Sequence, residues 1–212
     1  MTFTGIPIAA LDFYEDLEAD NTKAFWTKHK HVYEEVVRRP MLALTAALAE
    51  EFGQAKVFRP YRDVRFAKDK TPYKTGQGAI VNVGAATGYY VEIAAPGVRV
   101  GGGYYHAGGP DLSRIRTAID AEHSGEELER LVEGLRAKGF EIRGEQLRTS
   151  PRGYAADHPR IDLLRYKSMS LGKSYGFDKV IHGPELLDRV REDWRSLRPL
   201  VEWVRERVDV LG

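Results

Sequence analysis

Three apolar runs near the middle of the chain, 78–83, 88–94 and 98–105, are joined by links too short for a crossover. Gly84 to Gly88 makes one link, and Pro96-Gly97, a dipeptide suited to a tight turn, makes the other. A parallel connection needs about a dozen residues, so these strands must run antiparallel. The same spacing excludes a doubly wound nucleotide-binding sheet. Gly101-Gly102-Gly103 follows a strand, but it is no GxGxxG fingerprint, and no βαβ repeat surrounds it. The triplet reads as a bulge or close backbone approach, with a backbone surface facing a ligand as the alternative. Shorter runs at 56–59 and 62–66 read as further strands.

Helices flank this centre. Ala10, Phe13, Tyr14 and Leu17 share one face at helical spacing. Asp20 or Asn21 is the expected N-cap of a second helix, whose stripe is Phe25, His29, Val32 and Val36. Pro40 ends that helix or begins the next, and Gly53 stops the face of Met41, Leu44, Leu48 and Phe52. After Pro110, Leu112, Ile115 and Ile119 line a helix. Ser124 with Glu127 then forms a capping-box pattern ahead of Leu128, Leu131, Val132 and Leu135, with Gly139 as the stop. A strand at 146–149 and a helix capped by Asp157 and running through Leu164 are expected next. The stripe Leu187, Val190, Trp194, Leu197, Val201, Val204 and Val208 predicts a long C-terminal helix, kinked or restarted at Pro199. The expected fold is therefore one α+β domain over 1–212, an antiparallel sheet packed by N-terminal helices and this long helix.

Composition removes several function classes. With no cysteine there is no disulfide framework, thiol nucleophile or thiolate metal site. No apolar run approaches the roughly 18 residues of a membrane span, and the start lacks a basic-then-apolar signal pattern, so a cytoplasmic protein with no membrane partner is expected. The formal net charge is +1, but it is unevenly spread. Residues 1–55 hold five Lys/Arg against nine Asp/Glu, a balance of −4. Residues 56–74 hold seven Lys/Arg against Asp63 and Asp69, a balance of +5. Val57, Phe58, Tyr61, Val64, Phe66 and Tyr73 interleave those cations, which a disordered basic arm would lack.

Read as a strand, 62–66 puts Arg62, Val64 and Phe66 on one face, with Val64 and Phe66 toward the core, and Tyr61, Asp63 and Arg65 on the other. Asp63 is placed to orient Arg65. Lys68-Asp69-Lys70-Thr71-Pro72 is turn chemistry, in which Asp69 bonds backbone N–H groups just ahead. Arginine suits bidentate recognition of carboxylate or phosphate, and lysine supplies a point charge.

Two stretches together carry a resemblance. Asn21, Lys23, Phe25 and Trp26, then Lys30 and Tyr33, precede Arg59-Pro60-Tyr61-Arg62-Asp63-Val64-Arg65-Phe66-Ala67-Lys68-Asp69-Lys70-Thr71-Pro72-Tyr73-Lys74. This resembles the family DUF2461, with its Asn-rich start, its Arg-Asp-x-Arg-Phe-Ser-x-Asp-Lys-x-Pro-Tyr-Lys core and its glycine triplet. Leu112 to Arg116 and Leu147 to Tyr154 resemble later family segments. Phe25-Trp26 stands where Trp-Phe is usual, and Ala67 where serine is common. The resemblance implies one fold over nearly the whole chain and weight on 62–74; it implies no reaction.

The residues point first to a site for an anionic small molecule bearing phosphate or carboxylate. Arg62, Arg65, Lys70 and Lys74 would bind it, with Asp63 orienting, Tyr73 and Tyr104 as hydroxyl partners, and the Gly101–His106 segment closing the site. The competing reading is an internal ion-pair network, in which the cations meet Asp12, Glu15, Asp16, Glu18 and Asp20, within a protein-interaction module. Single-stranded nucleic acid is a further alternative, because cations interleaved with aromatics suit phosphate contact and base stacking. The pI of 7.9 is low for such a binder. For acid–base chemistry, Asp63 and Asp69 lie among cations and make poor proton donors, which leaves Tyr61, Tyr73 and His106. No Ser–His–Asp order, Walker loop or HExxH is present, so no catalytic residue is assigned. His29 and His31 are two apart and diverge on a helix, so no metal is expected, nor any cofactor. The C-terminal stripe packs on its own sheet or pairs two copies, giving a monomer or a homodimer.

Overall fold

The computed structural model describes residues 2–66 and 68–208. The chain opens with α1 (Ile8–Ala19), α2 (Lys23–Val32) and α3 (Arg39–Phe52), followed by β1 (Ala55–Val57), β2 (Gly76–Gly84), β3 (Thr87–Ala94) and β4 (Gly97–Tyr104). Then come α4 (Gly109–Asp120), α5 (Glu122–Ala137), β5 (Glu141–Arg143), α6 (Ile161–Leu164), β6 (Met169–Gly176) and α7 (Glu185–Val208). The strands form a six-stranded antiparallel sheet in the order β1-β2-β3-β4-β6-β5. The fold is α+β, with the hairpins that the short links demand.

The helix ends follow local chemistry. Thr22, not Asp20 or Asn21, caps α2, its hydroxyl accepting from the Phe25 N–H at 3.2 Å. Asn21 is otherwise committed, as described below. Between α2 and α3 the helix widens to π geometry over Tyr33–Arg38 without a break. Pro40 accounts for this widening: it has no N–H, and its ring would collide with the carbonyl four residues back in a regular turn. Ser124 lies inside α5 and donates to the Ala118 carbonyl, so the expected capping box does not form. Asp157 sits in a turn ahead of the single helical turn α6. The strand expected at 146–149 is one bridge, Gln146 to Tyr166, and the strands sequence periodicity missed are β5 and β6. Helix α7 runs through Pro199.

The chain divides into two compact units, Met1–Val81 with Tyr90–Val100 and Ser174–Glu192, and Asn82–Tyr89 with Gly101–Lys173 and Asp193–Gly212. In the first, Phe13, Tyr14, Trp26, Tyr33, Met41 and Leu44 are buried, and Tyr33 Oη donates to Gln77 Oε1 on β2, tying helix to sheet. In the second, Trp194 on α7 stacks on Tyr89 of β3 with ring centroids 5.3 Å apart. Val190, Trp194, Leu197, Val201, Val204 and Val208 are all buried, so the stripe is used within the chain. The glycine triplet serves close approach. A Cβ at Gly103 (φ +143°) would lie 2.3 Å from the Met169 carbonyl oxygen of β6, and one at Gly102 would lie 3.2 Å from Val201 Cγ2. The triplet meets the protein's own strand and helix, as the close-approach reading expects.

Candidate functional site

The basic segment 59–74 is a closed loop rather than a strand. Tyr61 and Tyr73 form a single antiparallel bridge, with Arg62 N donating to the Pro72 carbonyl and Lys74 N to the Pro60 carbonyl, both at 2.8 Å. Pro60 and Pro72 bring no N–H of their own, so the ladder cannot lengthen past this rung. The expectation of a strand at 62–66 is corrected accordingly. Val64 is half-buried, and Phe66, expected in the core, is 96% exposed. Ala67 lies outside the described residues.

The base of the loop is held from the N-terminal helices. Asn21 Nδ2 donates to the Tyr73 carbonyl, and Asn21 Oδ1 accepts from the Tyr73 N–H, both at 3.1 Å. One amide side chain thus pairs with one residue's backbone as a neighbouring strand would. Trp26, buried, stacks on the Tyr73 ring at 4.4 Å with planes 10° apart, and its ring centroid is 5.9 Å from that of Tyr61.

The cations at the tip are neutralised locally. Arg65 grips Asp63 through Nε at 2.9 Å and Nη2 at 2.6 Å. Arg62 Nη1 reaches Asp69 Oδ2 at 2.5 Å and the Thr71 hydroxyl at 2.6 Å, while Asp69 Oδ1 accepts from the Thr71 N–H at 2.9 Å. Hydrogen bonds from Arg65 hold the Asp63 carboxyl below its ordinary range, and those from Thr71 and Arg62 do the same for Asp69. Lys70 Nζ donates to the Val64 carbonyl at 2.9 Å. Among the described residues, none of Asp12, Glu15, Asp16, Glu18 or Asp20 pairs with this segment.

A cleft of about 430 Å³ opens beside the loop, lined by Phe58, Arg62, Lys74, Thr75, Gly76, Gly78, Tyr90 and Glu92. Gly76 and Gly78 are two apart on β2 and therefore share a face. A Cβ at Gly78 would lie 2.5 Å from the Tyr90 hydroxyl, and one at Gly76 would lie 2.7 Å from Glu92 Oε1. The missing side chains let Tyr90 and Glu92 of β3 lie across β2. Arg99 on β4 pairs with Glu92 and lies over the Tyr90 ring, 5.6 Å from its centroid. Burial, reinforced by Glu92, pushes the Tyr90 hydroxyl up to about 12, so it keeps its proton at neutral pH. Lys74 Nζ sits 4.9 Å over the Phe58 ring. Burial, with Arg59 nearby, holds its ammonium below the ordinary lysine value, and among the described residues no carboxylate pairs with it.

The eight residues expected at a site are thus distributed. Arg62 and Lys74 line the cleft. Asp63, Arg65 and Lys70 are exposed on the loop, and Tyr73 is packed in the aromatic cluster. Tyr104 and His106 belong to the second unit, Tyr104 buried and His106 exposed just after β4. Sequence reasoning missed Phe58, Gly76, Gly78, Tyr90 and Glu92. Their signal is alternation: two glycines spaced by two, and Tyr90 and Glu92 spaced by two on the next strand.

The sequence profile of DUF2461, described as a conserved hypothetical protein, matches residues 9–203. The chain belongs to this family. A comparison with curated proteins finds no match to it. The two DUF2461 stretches quoted first, Asn21–Trp26 and the basic segment, meet at Tyr73. The two later stretches both reach the segment 164–165: Arg116 Nε donates to the Leu164 carbonyl at 3.0 Å, and Leu147 N donates to the Arg165 carbonyl at 2.9 Å. Among the described residues, no three His, Asp or Glu side chains come together as a metal-ligand set, and no helix is long and apolar enough to cross a membrane.

Proposed function

We propose that this DUF2461 chain binds an anionic small molecule, bearing phosphate or carboxylate, in the cleft beside the basic loop. The observation that carries the reading is Lys74. It is a half-buried cation on a cleft wall that forms no ion pair among the described residues, with Glu92 acting on it only at longer range. A cleft of this size suits a small ligand with a few convergent polar groups. Arg62, held in place by Asp69 and Thr71, supplies a second cation. Tyr90 supplies a protonated hydroxyl. Glu92 lies in the same cleft, but its charge is matched by Arg99.

Calorimetric titration of the whole chain with inorganic phosphate, and separately with citrate, tests this. Saturable binding is expected for at least one of them, weakened about tenfold or more by Lys74→Met, as loss of a charge-assisted hydrogen bond implies. Gly78→Ala, which drives a methyl into the Tyr90 hydroxyl, should weaken it as well. Binding that survives both substitutions unchanged, or no binding to either anion, overturns the proposal.

A further inference from the structure

A second cavity, of about 480 Å³, lies in the first unit and shares no residue with the cleft. Its size falls within the range of small-molecule pockets. One wall is the N-terminal segment. Ile6 N donates to the Ile181 carbonyl at 2.8 Å, and the Ile6 carbonyl accepts from His182 Nδ1 at 2.7 Å. Gly5, at φ +111°, comes so close that a Cβ there would lie 2.3 Å from the His182 carbonyl oxygen. The segment is thus fixed to the 3₁₀ turn Lys179–His182 by a backbone contact that a side chain would push apart. Another wall comes from the widened turn, with Glu35 and Val36, and from the start of α3, with Arg39 and Ala43. Widened turns of this kind recur at functional sites.

The polar groups on these walls are uncommitted. Glu34 and Arg38, four apart on this helix, pair at 3.2 Å. Glu35 and Arg39 have the same spacing and both line the cavity, yet among the described residues neither side chain has an ion-pair or hydrogen-bond partner. A glutamate four residues ahead of an arginine is the favoured order for a helical pair. One such pair closes here, and the pair at the cavity stays open and accessible. His182 also lines the cavity. A carbonyl only accepts, so Nδ1 carries the proton shared with Ile6, and Nε2 of the neutral ring is an acceptor left to an incoming group. Phe3 and Ala43, buried, and Val36, half-buried, give the same cavity an apolar surface.

This combination selects a ligand. A simple anion drawn to Arg39 is repelled by Glu35, and a simple cation drawn to Glu35 is repelled by Arg39. Water solvates both charges but gains nothing from the apolar surface. A molecule that carries an ammonium, a carboxylate and an apolar group answers all three. We infer that this cavity binds an α-amino acid with an apolar side chain. Arg39 takes the carboxylate, Glu35 and His182 Nε2 take the ammonium, and Phe3, Val36 and Ala43 receive the side chain.

The test is calorimetric titration of the whole chain with L-leucine and with L-phenylalanine. Isocaproate and hydrocinnamate, which lack the amino group, and isoamylamine and phenethylamine, which lack the carboxyl group, are titrated beside them. Saturable binding is expected for at least one amino acid, about tenfold or more tighter than for either of its truncated analogues. Glu35→Gln and Arg39→Gln alter accessible positions and leave the fold intact. Each should weaken the amino acid about tenfold, the loss of one charge-assisted contact. Lys74→Met should leave this titration unchanged. Failure of both amino acids to bind overturns the inference, and so does an affinity that either Glu35→Gln or Arg39→Gln leaves unmoved. A truncated analogue that binds as tightly as its amino acid overturns it too, since only one of the two charges would then be at work.

Discussion

The tip of the basic loop and the cleft beside its base carry the same kind of charge under opposite conditions. At the tip, Arg65 holds Asp63 from its own loop, and its side chain is 77% exposed. In the cleft, Lys74 is half-buried against Phe58, and no carboxylate pairs with it among the described residues. Water already screens the tip, and ion pairs between exposed groups contribute little. A cation withdrawn from water without a partner is the one that gains most from an incoming anion. The segment's surplus of charge therefore locates the region, and burial selects the residue within it.

The comparison breaks most completely at Trp26, on which the base of the loop rests. Trp26→Ala should cost about 3–5 kcal/mol, the range for truncating a buried aromatic, read as a drop in the urea midpoint. It should also abolish anion binding, because Tyr73 and hence Lys74 lose their support. A stability loss with intact binding would show that the loop base stands without Trp26.

Lys74→Met comes next. The folded-state value of Lys74 lies below its ordinary value of 10.5. Between those two values the unfolded chain binds the extra proton, so stability rises with pH through that window. Below the folded value the penalty of keeping Lys74 charged is fully present. Lys74→Met should therefore be more stable than the parent chain at neutral pH, with the difference shrinking as pH approaches 10.5. Saturating phosphate should narrow the same difference at neutral pH. A difference that is flat with pH would mean that packing alone separates the two chains.

The smallest effect belongs to the tip. Arg65→Ala should leave the urea midpoint and the phosphate titration unmoved, since Arg65 is exposed and spends its fork on Asp63. A clear loss of anion affinity would place the working cation at the tip and reverse the comparison.

Much of this was legible in residue order, and the misses have physical causes. The hairpins follow from link length, and the α7 stripe from its spacing. The alternation over 62–66 makes no strand because the flanking prolines Pro60 and Pro72 leave the pair of Tyr61 and Tyr73 only one rung. Strand β6 was missed because Met169, Leu171 and Tyr175 alternate among Gly172, Lys173 and Ser174, residues that favour strands poorly. At the site, Arg62 and Lys74 were visible as charge. Gly76 and Gly78 carry no side chain, and their role exists only because Tyr90 and Glu92 lie across them.

The widened turn over Tyr33–Arg38 has a consequence for insertions and deletions. A helix advances about 100° per residue, so a π stretch works as one extra residue wedged into an α-helix. Removing a single residue there would let the stretch close into regular α geometry with Trp26 and α3 still facing as they do. Removing one from the regular turns between Trp26 and Tyr33 would instead turn Trp26 by about that angle and swing it off the ring of Tyr73. The widened turn is therefore the place in this helix where a one-residue deletion leaves the loop's support in phase.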